Sequence, residues 1–149
     1  MIEPTALQRY SLFGGLLKEQ IGKILPFMEY ESYAPGECII AEGVCNDRIR
    51  FILEGRVAVV KGGLILYEFG EGDEFGEMEV LDIMPSVAAI NAMLPTTAIS
   101  ISNKALHQIY KADISIFSML IMNLARDLSR RLRKMDEKVA SESPFLEWS

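Results

Sequence analysis

A glycine-rich acidic segment, Gly70–Ala92, contains the residues of this sequence that are best suited to binding chemistry. Gly70, Gly72 and Gly76 permit backbone conformations that are closed to residues with a Cβ atom. Residues 77–81 then have the composition of one short helix. A loop that ends at a helix N-terminus directs several free N–H groups into one small volume, which favours an anion. An acidic surface hairpin is the alternative interpretation of the same segment.

Catalysis has weaker support than binding. Glu77 and Glu79 could act as paired carboxylates, but their spacing places no nucleophile, base or metal ligand beside them. A metal-holding enzyme of the cupin type generally needs two or three histidines, and the single histidine, His107, falls on a predicted helix. The acidic loop also lacks the regular ligand spacing of a calcium loop. We therefore expect no metal site and no enzymatic activity.

The composition predicts one domain of ordinary size, since half of the 149 residues are apolar. The net charge of −6 argues against a general nucleic-acid surface, which needs clustered lysine and arginine. No apolar run is long enough to span a membrane, and the N-terminus lacks a secretion pattern, so a cytoplasmic protein is expected. Cys38 and Cys45 are too few for a disulfide scaffold and are interpreted as ordinary thiols.

Periodicity divides the chain into four parts. Residues 1–32 predict two short helices interrupted by Gly14-Gly15, and residues 33–102 show the two-residue period of half-buried antiparallel strands. Gly62-Gly63 is a hairpin signal within that region. Residues 103–140 predict a short helix and a long one, with Asn103 and Asp113 as their N-caps, and residues 141–149 form a tail. Seven or eight short strands predict an antiparallel barrel or jelly roll.

The long helix carries an apolar stripe with a spacing of three and four residues, close to the coiled-coil period. The stripe consists of Phe117, Ile121, Leu124, Leu128, Leu132, Met135 and Val139. A helix of this length exceeds the width of a small barrel, so we expect part of the stripe to bind a second copy of the chain. Packing wholly against its own barrel is the alternative.

Basic residues also cluster on this helix, namely Arg126, Arg130, Arg131, Arg133 and Lys134. Acidic residues such as Asp127 and Asp136 interleave with them, and no aromatic residues accompany them. We interpret the basic cluster as the solvated flank of a coiled coil rather than as a nucleic-acid surface.

Two segments bracket the short helix of the acidic loop and the return into the next strand. They are Phe75-Gly76-Glu77-Met78 and Ser86-Val87-Ala88. Together they resemble the phosphate-binding cassette of cyclic nucleotide-binding domains, as found in the catabolite activator protein and other Crp/Fnr-type regulators. The family pattern is Phe-Gly-Glu-Leu followed by Arg-Ser-Ala or Arg-Thr-Ala. Cys38–Gly43 and Phe51–Gly55 are also similar to the start of the family's barrel, so the resemblance covers nearly the whole chain.

The resemblance implies a double-stranded β-helix, or jelly roll, followed by a long dimerisation helix. It assigns the seven residues of those two segments to the ligand cassette, with Glu77 in the position that accepts from the ribose hydroxyl. It also assigns contacts of the dimer helix to Leu124, Leu128, Leu132, Met135 and Asp136. Met135 and Asp136 stand where the family offers hydroxyl groups to the base.

The second cassette segment departs from the family pattern. Ser86 stands where the family carries its phosphate-binding arginine, and Val87 stands at the neighbouring hydroxyl position. Between Lys61 and Lys104 the sequence has no lysine, arginine or histidine. Charge-assisted hydrogen bonds contribute roughly 1.5–3 kcal/mol each. Losing one predicts at least about tenfold weaker binding of a cyclic nucleotide.

Two functions therefore remain open. The first is a regulatory module with the cyclic nucleotide-binding fold, which binds cyclic AMP poorly or not at all and takes another small ligand or none. The second is a working cyclic nucleotide sensor that recruits a cation such as Arg48, Arg50 or an arginine across the dimer. Relatives that regulate transcription carry a helix-turn-helix domain after this helix, and the residues after Val139 are too few to build one. We expect a homodimer with an unknown downstream protein partner, no nucleic-acid or membrane contact, and no cofactor beyond a weakly bound cyclic nucleotide or other small ligand.

Overall fold

Eight strands and five α-helices form the part of the chain described by this computed structural model, residues 2–142. The strands are β1 (Glu29–Tyr33), β2 (Cys38–Ile40), β3 (Arg48–Glu54), β4 (Arg56–Lys61), β5 (Leu64–Gly70), β6 (Glu74–Phe75), β7 (Ala89–Ala92) and β8 (Thr96–Ser102). The helices are α1 (Pro4–Leu7), α2 (Lys18–Ile24), α3 (Glu77–Asp82), α4 (Asn103–Ala112) and α5 (Ile114–Glu142), with 3₁₀ turns at Ser11–Phe13 and Leu25–Phe27. Within this range no helix is both long and apolar enough to cross a membrane.

The strands form two four-stranded antiparallel sheets, which confirms the predicted jelly-roll class. One sheet has the order β1-β8-β3-β6 and the other has the order β2-β7-β4-β5. Apolar side chains from both sheets meet in one buried cluster, which consists of Ile40, Ile52, Val57, Phe69, Phe75 and Ile90. Burying a side chain of this size stabilises the fold by roughly 1.5–3 kcal/mol. The predicted cassette packs on this cluster through Phe75.

Successive side chains of a strand point to opposite faces, so β3 and β8 also contribute to a second core on the other face of their sheet. Ile49 and Phe51 of β3 pack there with Ile99 and Ile101 of β8. The helical segments at both ends of the chain cover this face through Phe13, Ile21, Ile24, Ile109, Ile116, Leu120 and Leu124. The N-terminal segment and α5 are therefore held on the same sheet, which fixes the direction in which α5 leaves the barrel.

Some predicted boundaries are corrected. The first strand begins at Glu29 rather than at residue 33, because residues 29–33 pair in register with β8. Ser102, not Asn103, caps α4: its hydroxyl accepts from the N–H of Ala105 at 3.0 Å. Both residue types are good caps, and the sequence alone could not choose between these neighbours.

Other local predictions are confirmed. Gly62 and Gly63 join β4 to β5 with φ angles of 58° and 78°, as a two-residue hairpin requires. Asp113 caps α5, and its Oδ1 accepts from the N–H groups of Ser115 at 3.0 Å and Ile116 at 3.2 Å. Helix α5 runs to Glu142 rather than ending at residue 140, and the rest of the predicted tail, residues 143–149, lies outside the described residues.

The two halves of α5 have different environments. In the first half Ile116, Leu120 and Leu124 are buried against the barrel, whereas Phe117 and Ile121 of the predicted stripe are half-buried. In the second half Leu132 and Val139 are 62% and 61% exposed. The N-terminal part of the stripe packs on its own sheet, which leaves only its second half exposed.

Candidate functional site

The cassette begins at a backbone turn that only glycine fits easily. Gly76 follows β6 with φ = 88° and precedes α3. A Cβ atom at this position would lie 2.7 Å from Nδ2 of Asn46 and 2.8 Å from the carbonyl oxygen of Arg48. The Asn46 amide donates to the carbonyl oxygens of both Gly76, at 3.0 Å, and Arg48, at 2.8 Å. This bridge ties the cassette to β3, so the turn is set by the fold whether or not a ligand is bound.

A cavity of about 200 Å³ lies between α3, β4, β5, β7 and α5. All seven residues that the sequence assigned to the cassette line it: Phe75, Gly76, Glu77, Met78, Ser86, Val87 and Ala88. Met135 of α5 lines it too, whereas Leu124, Leu128, Leu132 and Asp136 do not. The structure thus brings the predicted cassette residues together around one cavity.

At one end of the cavity stand the residues that replace the family's arginine and hydroxyl. The Ser86 side chain is buried, and its hydroxyl donates to the carbonyl oxygen of Ala88 at 2.6 Å. The Val87 side chain is 70% exposed. Lys61 donates to the carbonyl oxygen of Val87 at 2.9 Å, yet it does not line the cavity and pairs with Glu42 at 3.7 Å. We call this end, Ser86 to Ala88, the serine end.

A guanidinium lies at the opposite end of the cavity, where the sequence analysis expected none. Nη1 of Arg131 donates to Oε1 of Glu77 at 2.6 Å, and Nη2 donates to the carbonyl oxygen of Glu74 at 2.9 Å. The guanidinium carbon also lies 4.5 Å from the centroid of the Phe69 ring. The Arg131 side chain is only 14% exposed, so its assignment to a solvated flank is wrong. We call this end, Glu77 with Arg131, the ion-pair end.

One sequence signal could have identified Arg131. It precedes Met135 by one helical turn, so the two side chains share a face of α5. The resemblance had placed Met135 at the ligand, and the same face should then have included Arg131. The interleaved acidic residues concealed this, because they are typical of an exposed helix.

Burial shapes the electrostatics of the ion-pair end. Burial raises the pKa of Glu77, and the facing Arg131 guanidinium partly offsets that rise. The second carboxylate oxygen, Oε2, is buried and has no hydrogen-bond partner within residues 2–142. Glu79, which also lines the cavity, adds a second acidic group. The cavity walls therefore present one guanidinium and two carboxyl groups.

A second buried carboxyl group lies just behind this end. Burial, followed by the neighbouring Asp127 carboxyl, raises the pKa of Glu74 to about 9. Glu74 and Asp127 line a separate polar cavity of about 170 Å³ together with Ser11 and Arg130. At neutral pH the Glu74 carboxyl is thus protonated, and Arg131 contacts its backbone oxygen rather than its side chain.

The two barrel arginines that the sequence analysis offered as replacement cations lie elsewhere. Arg48 donates to Glu29 at 2.6 Å, and Arg50 donates to Glu31 at 2.8 Å. Neither arginine lines the cassette cavity. The structure places both in an ion-pair cluster across β1 and β3, so neither supplies the cavity with a cation.

Other candidate reactive residues lie away from the cavity. His107 is on the exposed face of α4, where its ring stacks on Tyr110 with centroids 6.3 Å apart. Cys38 and Cys45 are exposed free thiols. No group of three or more histidine, cysteine, aspartate or glutamate side chains in the described range is arranged to hold a metal ion.

The cassette, the two sheets and the long following helix together define a known class of domain. Residues 30–113 match the cyclic nucleotide-binding domain family, and the chain belongs to that family. The match covers β1 to β8 and α4, so it includes the whole cassette but ends before Arg131.

Two relatives match most of the length of this chain. The chain is 24% identical over 143 residues to the CRP-like cAMP-activated global transcriptional regulator of Mycobacterium tuberculosis, covering 93% of this chain and 64% of that protein. It is 28% identical over 130 residues to the cyclic AMP receptor protein of Thermus thermophilus, covering 84% of this chain and 58% of that protein. The chain thus spans less than two thirds of the length of these two relatives.

A solved structure shows the same fold over almost the full length. A cyclic nucleotide-binding domain from Methylobacillus flagellatus superposes with a TM-score of 0.85 at 24% identity, covering 98% of this chain and 84% of that chain. The shared length includes the helices on both sides of the barrel.

Proposed function

We propose that this protein is a regulatory module whose cassette cavity does not suit cyclic AMP. The observation that carries the proposal is the serine end, where the Ser86 hydroxyl donates to the carbonyl oxygen of Ala88 and no cationic side chain of the described residues lines the cavity at that end. Arg131 is the one cationic side chain among the described residues that line it, and it is bound to Glu77. A cyclic phosphate placed at the serine end would meet no guanidinium there, and the nearby Lys61 ammonium lies outside the cavity, held by the carbonyl oxygen of Val87 and by Glu42.

The loss of charge-assisted contacts to the phosphate should weaken the binding of cyclic AMP. A charge-assisted contact to a phosphate oxygen contributes roughly 1.5–3 kcal/mol, and a family arginine offers two such contacts. Their loss corresponds to about a hundredfold or more in the dissociation constant. Glu77 and Glu79 would in addition repel the phosphate charge, because both line the cavity.

Thermal unfolding in the presence of cyclic nucleotides tests the proposal. A ligand present at a hundred times its dissociation constant stabilises a protein by about 2.7 kcal/mol, which raises the Tm of a domain this size by about 5–10 °C. We expect millimolar cyclic AMP and cyclic GMP to leave the Tm unchanged. A rise of several degrees would contradict the proposal and favour the sensor described next.

A second candidate function is a working cyclic nucleotide sensor, and one observation favours it. The Arg131 guanidinium lines the cavity and could exchange Glu77 for a ligand phosphate. In that case cyclic AMP should raise the Tm of the unaltered protein, and Arg131→Gln should abolish the rise. If cyclic AMP has no effect on the unaltered protein, this candidate is excluded.

We further propose that the protein acts as a homodimer through the second half of α5. Leu132, Met135 and Val139 present an exposed apolar row at a spacing of three and four residues. Such a row is typical of a coiled-coil seam. The burial of the first half on its own barrel leaves this second half free to pair. We propose no catalytic role, one domain over the described residues, and an unidentified protein as the downstream partner.

We propose that α5 does not bind nucleic acid. Arg130 pairs with Asp127 at 3.1 Å, and Arg131 is buried against Glu77. Two members of the basic cluster are therefore already neutralised within the chain, and the net charge of −6 opposes a phosphate backbone.

A further inference from the structure

We propose that an exposed apolar patch at the end of α3 docks a partner protein through a helix that has an apolar face and basic flanks. We call it the α3 patch, and it consists of Met78, Leu81, Ile83, Met84 and Val87. The inference rests on the proposed function, since a regulatory module needs a surface that contacts its downstream partner. Three observations carry it: the exposure of these side chains, the backbone conformation of Ile83, and the charges around the patch.

The α3 patch exposes five large apolar side chains between residues 78 and 87, and each of them is more than half exposed. Met78 and Leu81 are three residues apart on α3, so they share one face of the helix. Ile83 and Met84 follow directly after the helix ends. Single exposed apolar side chains are common on protein surfaces, but a cluster of them is typical of an interaction site.

The backbone at Ile83 adopts a conformation that is unfavourable for this residue type. Ile83 ends α3 with φ = 55° and ψ = 43°, and among residues 2–142 it is the one non-glycine residue with a positive φ angle. Helices usually end in this left-handed region with glycine or asparagine, because a β-branched side chain is strained there. Packing does not offset the strain, since Ile83 is 85% exposed. A contact with a second molecule accounts for both features, because it would bury this side chain.

The charges around the α3 patch favour a basic partner. Glu79 and Asp82 are the only charged residues between positions 78 and 87, and neither forms an ion pair within the described part of the chain. Lys61, which donates to the carbonyl oxygen of Val87, pairs with Glu42. A docking helix therefore gains from lysine or arginine beside its apolar face. A second copy of this chain fits less well, because a two-fold contact would bring the same acidic residues together.

Fluorescence anisotropy with two labelled synthetic peptides tests the inference. The first peptide is an amphipathic helix with leucine on one face and lysine on the other, and the second has glutamate in place of lysine. Both have the same apolar face, so the comparison isolates the effect of charge. We expect the lysine peptide to bind the unaltered protein at least about tenfold more tightly than the glutamate peptide.

The same substitution at two exposed isoleucines locates the contact. Ile83→Asn removes the apolar side chain from the α3 patch, and Ile114→Asn is the control at the start of α5. Ile83→Asn should weaken binding of the lysine peptide by about tenfold, because the complex loses the burial of one isoleucine. It should also raise the Tm by about 2–5 °C, because asparagine tolerates a positive φ angle. Ile114→Asn should weaken binding less than about threefold and should not raise the Tm.

A double variant tests the role of charge. Glu79→Gln combined with Asp82→Asn should reduce the preference for the lysine peptide to less than about threefold. A preference that persists in this variant would arise from the net charge of the protein and would contradict a basic partner at the α3 patch. Circular dichroism checks the folding of every variant. If Ile83→Asn does not fold, the strain argument is wrong, and Leu81→Asn then tests the docking surface by the same loss of binding.

The outcomes separate this inference from the proposed function and from dimerisation. If the lysine peptide does not bind, or binds Ile83→Asn as tightly as the unaltered protein, the inference is wrong and the proposed function stands. If cyclic AMP binds tightly while the peptides behave as expected, the proposed function is wrong and the docking surface stands. Sedimentation should give Ile83→Asn the same mass as the unaltered protein. A lower mass would assign the α3 patch to a contact between copies of this chain and would overturn the inference.

Discussion

The two ends of the cassette cavity differ in how much of their bonding the protein itself completes. At the ion-pair end a buried guanidinium joins Glu77, the Glu74 backbone and the face of Phe69. At the serine end the Ser86 hydroxyl donates to the carbonyl oxygen of Ala88, and the neighbouring valine faces solvent. The first end is organised by side-chain contacts between distant parts of the chain. The second is held through its backbone, since Ser86 exchanges hydrogen bonds with Gly43 and Val44 at 2.7 and 3.1 Å. The protein itself therefore holds both ends, but only the first presents a guanidinium to the cavity.

The reason lies in the packing beneath the cassette. Phe75 is buried in the barrel cluster, and Gly76 is held by Asn46, whose amide donates to the carbonyl oxygens of both Gly76 and Arg48. These contacts form with or without a ligand. Residues such as Phe75 and Gly76 are thus needed by the fold, whereas we propose that the residue at position 86 decides which ligand charge the cavity accepts.

The largest expected effect comes from breaking the ion-pair end. Arg131→Ala leaves a buried Glu77 without its partner, and removing one member of a buried pair costs about 3–5 kcal/mol. We expect the free energy of unfolding, measured by urea denaturation, to fall by about that amount. Arg130→Ala is the matched control, since its side chain is 63% exposed and its pair with Asp127 contributes at most about 1 kcal/mol. Equal losses in the two variants would contradict the assignment of Arg131.

The next effect concerns the exposed half of α5. Leu132→Glu places a charge in the proposed seam, and each copy of a dimer would lose about 1.5 kcal/mol or more of apolar burial. Because both subunits lose this burial, the dissociation constant of the dimer should rise by about a hundredfold or more. Sedimentation at micromolar protein should give a dimer for the unaltered chain and a monomer for the variant. Arg133→Glu, an exposed change on the same helix, is the control. A mass near that of one chain for the unaltered protein would contradict the proposed dimer.

The serine end can be tested by restoring a cation. Ser86→Arg should improve cyclic AMP binding by about 10- to 100-fold, because one or two charge-assisted contacts contribute roughly 1.5–3 kcal/mol each. Titration calorimetry measures the change. Ser86→Gln, a long uncharged side chain at the same position, should give no gain. If Ser86→Arg folds and binds no better, the missing cation is not what limits the cavity.

The smallest effect is a pH dependence that originates behind the ion-pair end. The pKa of Glu74 is about 9 in the folded protein, against an ordinary value of 4.5 for a glutamate in water, so the folded state retains its proton to higher pH. Its contribution to stability is complete below pH 4.5 and is lost as the pH rises towards 9, because the unfolded chain releases the proton first. Asp127, Glu77 and Arg131 are the charged groups that face it.

Between pH 7 and pH 8 we expect the free energy of unfolding to fall by about 1 kcal/mol, since one pKa unit corresponds to 1.36 kcal/mol. Glu74→Gln should flatten this dependence, while Glu79→Gln should leave it in place. A slope that Glu74→Gln does not change would contradict the protonated state of Glu74.

Much of the fold could be predicted because its signals are local. The two-residue period of the strands, the Gly62-Gly63 hairpin and the Asp113 cap each depend on a few adjacent residues, and the structure confirms them. Arg131 was missed because its partner, Glu77, is 54 residues away and its neighbours resemble an exposed helix. The point at which α5 leaves the barrel could not be predicted for a related reason: an apolar stripe does not specify which of its residues pack on its own barrel and which on a second chain.

The affinity of the unaltered protein for cyclic AMP, measured by titration calorimetry at neutral pH, tests the central claim most directly. A cavity that no cationic side chain lines at its serine end should bind cyclic AMP with a dissociation constant of about 1 mM or weaker, which corresponds to about −4 kcal/mol. A dissociation constant of a few micromolar or below would contradict the account, because it would require about 3 kcal/mol of phosphate recognition that the contacts at Ser86 and Val87 do not provide.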